Sequence, residues 1–265
     1  RAVVSLTSKN RVARSASVEL PAHANGEVVV EDDTSQLAVR FALEGADKAP
    51  IEIADGTALY SRALVGADLV HRVHAEGTED LVAFESKPAR EELVYRVDVT
   101  RAAGLRLVSN TLEFLDAGGA PRLRVAPPWV VDAHGDRHEA TLQVKGCAYD
   151  TDSSGPWGRA PTKPGAARCG VCVVWSTVEY PAVVDPNWVA TGSMASQRTG
   201  HSATLLSSGR VLIAGGGAAS VILSTAELFD LGVFAATGSM ASFRAGHAST
   251  LLALYVAVGE EQGIP

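Results

Sequence analysis

The segment TGSMASQRTGHSATLLSSGRVLIAGG, residues 191–216, occurs a second time in part near the end of the chain. Residues 236–252 align with residues 190–206 at a constant offset of 46 positions, and 13 of the 17 aligned residues are identical. A period of about 40 to 50 residues with four strand-like runs in each unit is typical of a β-propeller blade. The repeat therefore predicts four short strands, in the runs HSATLL, RVLIAGG, STAELFD and GVF.

The repeated residues resemble the kelch family in its bacterial form, which reads roughly GSM, Arg, GH, ATLL, GRVL, GG and AELYD. The matching residues are Gly192, Ser193, Met194, Arg198, Gly200, His201, the run ATLL at 203–206, the run GRVL at 209–212, Gly215, Gly216 and the run AELFD at 226–230. The resemblance covers about 80 residues, from Asp185 onward. It implies an incomplete kelch β-propeller with one full blade and part of another. Because a propeller closes with about four to eight blades, we expect the sequence to be a fragment whose other blades lie downstream.

Residues that every blade requires are expected to serve structure and not catalysis. The glycine pair 215–216 allows a sharp turn, and the two histidines at equivalent positions are expected to pack or to form hydrogen bonds. The residues expected to be structural are Gly192, Met194, Arg198, Gly200, His201, Gly215, Gly216, Glu227, Gly238, Met240, Arg244, Gly246 and His247.

The N-terminal two thirds of the chain show side chains that alternate with a period of two. In QLAVRFAL, residues 36–43, and LVYRVDV, residues 93–99, every second residue is large and apolar, which is typical of half-buried antiparallel strands. Short runs of this kind, separated by turn residues, predict an all-β fold. We expect β-sandwich-like structure in residues 1–184, with a sub-boundary near 50–56, and the kelch region in residues 185–265.

Part of the N-terminal region also has a looser resemblance. Residues 56–132 especially resemble a β-rich module that precedes the repeats of large secreted bacterial proteins, through the runs GTALYSRALVGADLVHRV, EDLVAFESKP and the run that ends in APPWVVDAHGD. These bacterial proteins include some kelch proteins and some YD-repeat (Rhs-like) toxins. The resemblance implies a bacterial surface or secreted context and says nothing about chemistry.

The three cysteines favour one disulfide. In the run CGVCVVW, residues 169–175, a strand would place Cys169 on the inward face and Cys172 on the other face. We predict that Cys169 pairs with Cys147 across a loop of about 20 residues, which would contribute about 3 kcal/mol to stability. The alternative is that all three thiols are reduced. A disulfide indicates an oxidising compartment and therefore export.

Two acidic segments are candidate metal sites. Asp132, His134, Asp136 and His138 alternate, but the intervening Gly135-Asp136 pair predicts a hairpin turn that would break their alignment. The segment from Asp150 to Gly155 starts like a calcium loop, but proline stands at the twelfth position where such a loop has its bidentate glutamate. A structural turn and a polar loop are therefore preferred, and we predict neither a metal nor a cofactor.

Composition limits the classes of partner. The formal net charge is -7, which argues against nucleic acid because phosphate neutralisation needs a concentrated Lys/Arg surface. The sequence contains no apolar run long enough to cross a membrane as a helix. It begins with Arg1, so we expect that an N-terminal segment has been lost. A secreted or cell-surface location is the expectation.

The function expected from these patterns is non-enzymatic binding of a protein or a glycan. One alternative is an enzyme, since kelch propellers include copper radical oxidases of the galactose oxidase type. Residues 185–265 contain a single tyrosine, Tyr255, and no cysteine, so such a site would need blades beyond this sequence. The other alternative is a purely structural surface protein.

Overall fold

The computed structural model describes residues 2–4, 16–54, 56–153, 156, 159–192, 194–206, 210–218, 221–230 and 233–249. These residues divide into two compact units, of which the first ends at Thr191 and the second begins at Gly192. The prediction of an all-β chain is confirmed, because the described residues form strands and no helix. Within the same residues, no helix is long and apolar enough to span a membrane.

The first unit is built from short antiparallel strands. They are β1 (Ala2–Val4), β2 (Ala16–Leu20), β3 (Val28–Asp32), β4 (Ala38–Leu43), β5 (Glu52–Ala54), β6 (Thr57–Leu64), β7 (Ala67–His74), β8 (Gly77–Phe84), β9 (Glu92–Asp98), β10 (Gly104–Val108), β11 (Thr111–Leu115), β12 (Pro121–Val125), β13 (Trp129–Val131), β14 (Arg137–Lys145), β15 (Arg168–Trp175), β16 (Ala182–Asp185) and β17 (Asn187–Ala190).

These strands form two layers. One layer has the order β1-β2-β3-β4-β9-β15-β14. The other begins β5-β6-β7-β8, and β8 then pairs with both β16 and β17. On their far side β16 pairs with β13 and β17 with β12, beyond which lie β11 and β10. Strand β14 connects the layers, because its first residues pair with β13 and the rest with β15.

The core of the first unit lies between the two layers. Phe41 of β4 stacks on Trp188 of β17 with ring centroids 3.9 Å apart, and Trp175 of β15 contacts Phe84 of β8 at 5.9 Å. Both contacts join one layer to the other. The alternation seen in the sequence explains this packing, since every second side chain of β9, such as Tyr95, is buried against the opposite sheet.

The second unit has one four-stranded antiparallel sheet. Its strands are β18 (Ser202–Leu205), β19 (Val211–Ala214), β20 (Gly217–Ala218), β21 (Val221–Ile222), β22 (Ala226–Asp230) and β23 (Val233–Ala236). The sheet order is β18-β19-β22-β23, and β20 and β21 form a separate small hairpin. The four sheet strands lie on the four runs that the repeat predicts. The described residues contain this one sheet of the repeat type and no closed ring of blades.

Two boundaries expected from the sequence fall within strands. The expected junction at residue 185 is the last residue of β16, and the contacts of the chain place Trp188 in the first unit. Residues 50–56, near which a sub-boundary is expected, include β5 and lead into its hairpin partner β6. Pro181 and Pro186 flank β16, and the backbone N–H of Asp80 donates a hydrogen bond to the carbonyl oxygen of Pro186.

Candidate functional site

An ion pair lies in the interior of the second unit. Arg198 precedes β18, Glu227 lies in β22, and their side chains are 1% and 3% exposed. Arg198 Nη2 donates to Glu227 Oε1 over 2.6 Å. The other carboxylate oxygen of Glu227 accepts a hydrogen bond from the backbone N–H of Ala195 at 2.7 Å. The glutamate therefore holds both the arginine and the segment that begins the repeat.

The two terminal nitrogens of the Arg198 guanidinium also bind the next turn, whereas Nε has no hydrogen-bond partner among the described residues. Arg198 Nη1 donates to the carbonyl oxygens of Gly215 at 2.9 Å and Thr225 at 2.8 Å, and Nη2 also donates to Thr225 Oγ1 at 3.1 Å. A buried charge is tolerated when it is paired and its hydrogen bonds are made. The Arg198 side chain thus binds Gly215 after β19, Thr225 before β22 and Glu227 within β22. Its role in the described structure is structural.

The second copy of the repeated phrase packs against this turn. The backbone N–H of Gly216 donates to the carbonyl of Arg244 at 2.7 Å, and that of Gly246 donates to the carbonyl of Gly200, also at 2.7 Å. Met240 and Arg244 donate their N–H groups to the carbonyls of Ser224 and Leu223 at 2.8 and 3.2 Å. Residues 240–246 are thus seated on the first repeat through backbone hydrogen bonds.

Glycine is required at the centre of this contact. Gly215 has a φ of +64°, and a Cβ there would lie 2.4 Å from the Arg244 carbonyl oxygen and 2.8 Å from both the Met240 methyl group and His247 Cε1. Gly216, at φ +92°, would place a Cβ 2.8 Å from the carbonyl oxygen of Thr199. The pair is therefore fixed both by its backbone conformation and by the approach of the second phrase.

We expect Gly215→Ala to release residues 240–247 from the first repeat. The left-handed backbone alone costs an alanine about 1–2 kcal/mol, and the contact with the Arg244 carbonyl adds to that cost. The measurement is the rate of tryptic cleavage after Arg244, which should rise in the variant. Gly238→Ala is the matched control, because a Cβ at Gly238 meets no atom within 4 Å. Equal cleavage rates in both variants would contradict the expectation.

The two equivalent histidines make different contacts. His201 Nδ1 lies 3.3 Å from the carbonyl oxygen of Arg198. His247 reaches back to the first repeat, where its Nε2 lies 3.0 Å from Ser202 Oγ. The hydroxyl groups of Thr204 and Ser249 also form a hydrogen bond. The start of the second repeat therefore runs beside β18, and among the described residues neither histidine belongs to a group of three or more potential metal ligands.

The other repeat residues lie nearer the surface. Met194 and Met240 are half-buried, whereas Gly200, Gly238, Arg244 and Gly246 are exposed. Arg244 is the counterpart of Arg198 at the 46-residue offset but does not share its burial. Gly192 is the first residue of the second unit. Thr225 accepts two hydrogen bonds from Arg198, but the repeat does not predict a role for it. The only sequence feature that points to Thr225 is its position two residues before Glu227.

The cysteines lie in the first unit. Cys147 and Cys169 form a disulfide with Cα atoms 5.5 Å apart, and Cys172 is a free buried thiol. Cys169 points into the core, as strand alternation predicts, and Cys172 lies on the opposite face of β15 near Lys145 and Glu92, which form an ion pair of 2.7 Å. Burial raises the pKa of the Cys172 thiol.

We expect Cys147→Ser to lower the free energy of unfolding of the first unit by about 3 kcal/mol, because the cross-link closes a loop of 22 residues. Chemical denaturation followed by tryptophan fluorescence measures this loss. Reduction of the unsubstituted chain should produce the same shift. If reduction leaves the transition unchanged, the disulfide does not stabilise the unit.

The acidic segment around Asp132 forms a turn. Asp132 Oδ1 accepts the backbone N–H groups of His134 and Asp136 at 2.9 and 3.0 Å, and its Oδ2 lies 2.8 Å from His138 Nε2. The hydrogen bond from His138 lowers the pKa of Asp132. Across the described part of the chain, no group of three or more His, Cys, Asp or Glu side chains is arranged to hold a metal ion.

The candidate calcium loop falls partly outside the described residues, at Ser154 and Gly155. Its described carboxylates are engaged with an arginine. Arg159 forms ion pairs with Asp150 at 3.0 Å and with Asp152 at 2.8 Å. These contacts fit the interpretation of a polar loop.

An open cleft of about 540 Å³ lies beside β13 and β14. The Arg137 guanidinium covers one face of the Trp129 ring at 4.7 Å from its centre. The side chain of Asn110 closes one end by bridging to the backbone of Ala140 and Leu142, over 2.7 and 2.8 Å. The lining residues are Ser109, Asn110, Pro127, Pro128, Trp129, Arg137, His138 and Glu139.

No family model matches the chain, and no curated protein is significantly similar to it.

Proposed function

We propose that this chain belongs to an exported, non-enzymatic interaction protein of the bacterial kelch type, whose ligand is a protein or a glycan. The observation that carries the proposal is the seating of residues 240–247 on the preceding four-stranded sheet. A repeat that buries its faces mainly against its neighbours is characteristic of propellers and other repeat folds. The second unit is then one blade, and the next blade begins with the second phrase.

The difference between the two copies of the phrase supports binding as the role. Thirteen of 17 positions are identical, and Arg198 and Gly200 of the first copy are among them. Gln197 and Phe243 occupy the same position but differ, and both are exposed, with Phe243 69% accessible. Rigid blades with variable exposed loop residues are the usual means by which propellers display binding surfaces.

The first unit is proposed to be a β-sandwich-like spacer or anchor. Its two facing sheets enclose one core, and that core includes the disulfide-bonded Cys169. The disulfide supports export, since such bonds persist mainly in oxidising compartments. A location outside the cytoplasm in turn suits a protein that presents binding loops.

The test is binding of the labelled full chain to arrays of glycans and of purified extracellular proteins. Saturable binding to one ligand class, reduced in Gly215→Ala and retained in Gly238→Ala, would support a binding function of the repeat. Binding that both variants retain would place the ligand site elsewhere. Absence of saturable binding on both arrays would favour a structural surface protein. Stoichiometric copper with peroxide release from sugar alcohols would contradict the non-enzymatic proposal.

A further inference from the structure

Two ionisable side chains face each other in the core of the first unit. His71 of β7 and Asp80 of β8 are direct cross-strand neighbours and are 2% and 1% exposed. His71 Nδ1 lies 3.4 Å from Asp80 Oδ1. In the described part of the chain, neither Asp80 oxygen nor His71 Nδ1 has a hydrogen bond of standard geometry.

The groups around this pair provide no compensating positive charge. Tyr95 of β9 faces Asp80 from the opposite sheet, and burial, followed by the charge of Asp80, raises the pKa of the Tyr95 hydroxyl. The Tyr60 ring of β6 lies 5.7 Å from that of His71, and its hydroxyl donates to the carbonyl of Pro21. The next carboxyl group, Asp185 of β16, is 2% exposed. The charged side chains that act on Asp185 are Glu79, Asp80, Arg137 and Arg72.

A carboxylate in this position would be poorly stabilised. A buried anion needs several strong donors or a well-placed cation to offset the loss of water, and Asp80 has the imidazole at 3.4 Å and the Tyr95 hydroxyl from the opposite sheet, with no cation beside it among the described residues. A carboxylic acid satisfies the site differently. Its O–H donates to Nδ1 of a neutral His71, and its other oxygen accepts the hydroxyl of Tyr95. The carboxyl proton then pairs two buried atoms that otherwise lack hydrogen bonds, one Asp80 oxygen and His71 Nδ1.

We propose that the folded first unit holds His71 and Asp80 as a neutral pair, with a single proton on the carboxyl group, and that this pair sets how the stability of the unit responds to pH. Loss of that proton leaves a buried carboxylate beside a neutral imidazole and near Asp185, which destabilises the fold. With both partners present their two titrations offset each other, and with either partner replaced they do not.

The protonation equilibria agree with this geometry. Burial raises the pKa of Asp80 to about 7 and lowers that of His71 to about 3. Burial and the neighbouring carboxylates Glu79 and Asp80 raise the pKa of Asp185 to about 7. Between about pH 3 and 7 the folded pair is thus mainly a carboxylic acid beside a neutral imidazole.

Between about pH 4 and 6.5 the pair contributes little pH dependence to the free energy of unfolding. The reason is that both states then carry one proton on the pair, on the histidine in the unfolded chain and on the aspartate in the folded chain. Each single variant removes this balance. Asp80 without His71 stabilises the fold below about pH 4, and that stability is lost as the pH rises through about 7. His71 without Asp80 stabilises it above about pH 6.5, and that stability is lost as the pH falls towards about 3.

The first experiment is denaturant unfolding between pH 4 and 8 of the unsubstituted chain, Asp80→Asn and His71→Gln. All four tryptophans precede Thr191, so fluorescence reports on the first unit. Relative to the unsubstituted chain, the folding equilibrium constant of Asp80→Asn should rise with pH and that of His71→Gln should fall, each by up to about tenfold per pH unit. The exposed Asp136→Asn is the control and should show no relative slope. Parallel curves for all variants would overturn the neutral pair.

The position of the proton is tested directly on the unsubstituted chain, which also covers the case in which a variant does not fold. Nuclear magnetic resonance at pH 5.5 reads the carboxyl carbon of Asp80 and the ring nitrogens of His71. The proposal requires a protonated Asp80 and a neutral imidazole whose Nδ1 accepts a hydrogen bond. An ionised Asp80 beside a doubly protonated His71 would overturn it.

Discussion

Replacement of Arg198 by glutamine is expected to lower the free energy of unfolding of the second unit by about 3–5 kcal/mol, which is the usual cost of removing one partner from a buried ion pair. Glu227 would keep the N–H of Ala195 but lose the guanidinium at 2.6 Å. The carbonyls of Gly215 and Thr225 would also lose their donor. A loss of this size approaches the whole stability of a small unit.

The repeat supplies the control for this experiment. Arg244→Gln changes the same residue type at the equivalent position of the second phrase, but the Arg244 side chain is exposed, so its loss should change stability by less than about 0.5 kcal/mol. Amide hydrogen exchange of β19 and β22 measures both variants in the full chain. Similar effects of the two substitutions would mean that burial of Arg198 does not determine its role.

Replacement of Trp188 by alanine is expected to cost the first unit about 3–5 kcal/mol, the typical effect of removing a buried large aromatic side chain. Trp188 is 2% exposed, stacks on Phe41 at 3.9 Å, and contacts Tyr95 and Phe114 with centroids 5.7 and 6.4 Å away. It therefore fills the space between the two sheets. Thermal unfolding followed by circular dichroism measures the loss without relying on tryptophan emission.

Trp188→Phe should be much milder. Phenylalanine preserves an aromatic face for Phe41, and it removes the indole N–H, which is buried without a hydrogen-bond partner in the described residues. Removing an unsatisfied donor offsets part of the lost packing. Equal destabilisation by alanine and phenylalanine would contradict the proposed importance of the stacked contact.

Alternation predicts strands well where one face meets the core. The sequence pattern indicates β4 and β9, and the structure buries Val39, Phe41, Tyr95 and Val97 as that pattern requires. The pattern is weaker in β6, β7 and the first half of β8, because polar side chains such as His71 lie on the inward face there. A buried polar residue breaks the hydrophobic period even though the strand continues.

The repeat predicts strand positions for a different reason. A repeat of 46 residues is typical of a four-stranded blade, so it predicts four strand-like runs without reference to which side chains are buried. Strands β18, β19, β22 and β23 lie on these runs. The repeat does not predict that Arg198 pairs with Glu227, since the two residues are 29 positions apart and meet only after the turn at Gly215 has formed. The His71–Asp80 pair is similarly invisible in the sequence, because it depends on the register of β7 and β8 and on Tyr95 from the other sheet.

The central claim is that the doubled phrase is a repeated structural element whose second copy docks on the first. Amide hydrogen exchange of the unsubstituted chain tests it most directly. The N–H groups of Gly216, Met240, Arg244 and Gly246 make the docking hydrogen bonds, so they should be protected to a degree similar to the amides of β19 and β22. Exchange of Met240, Arg244 and Gly246 at the rate of an unstructured peptide, with β19 and β22 still protected, would contradict the claim.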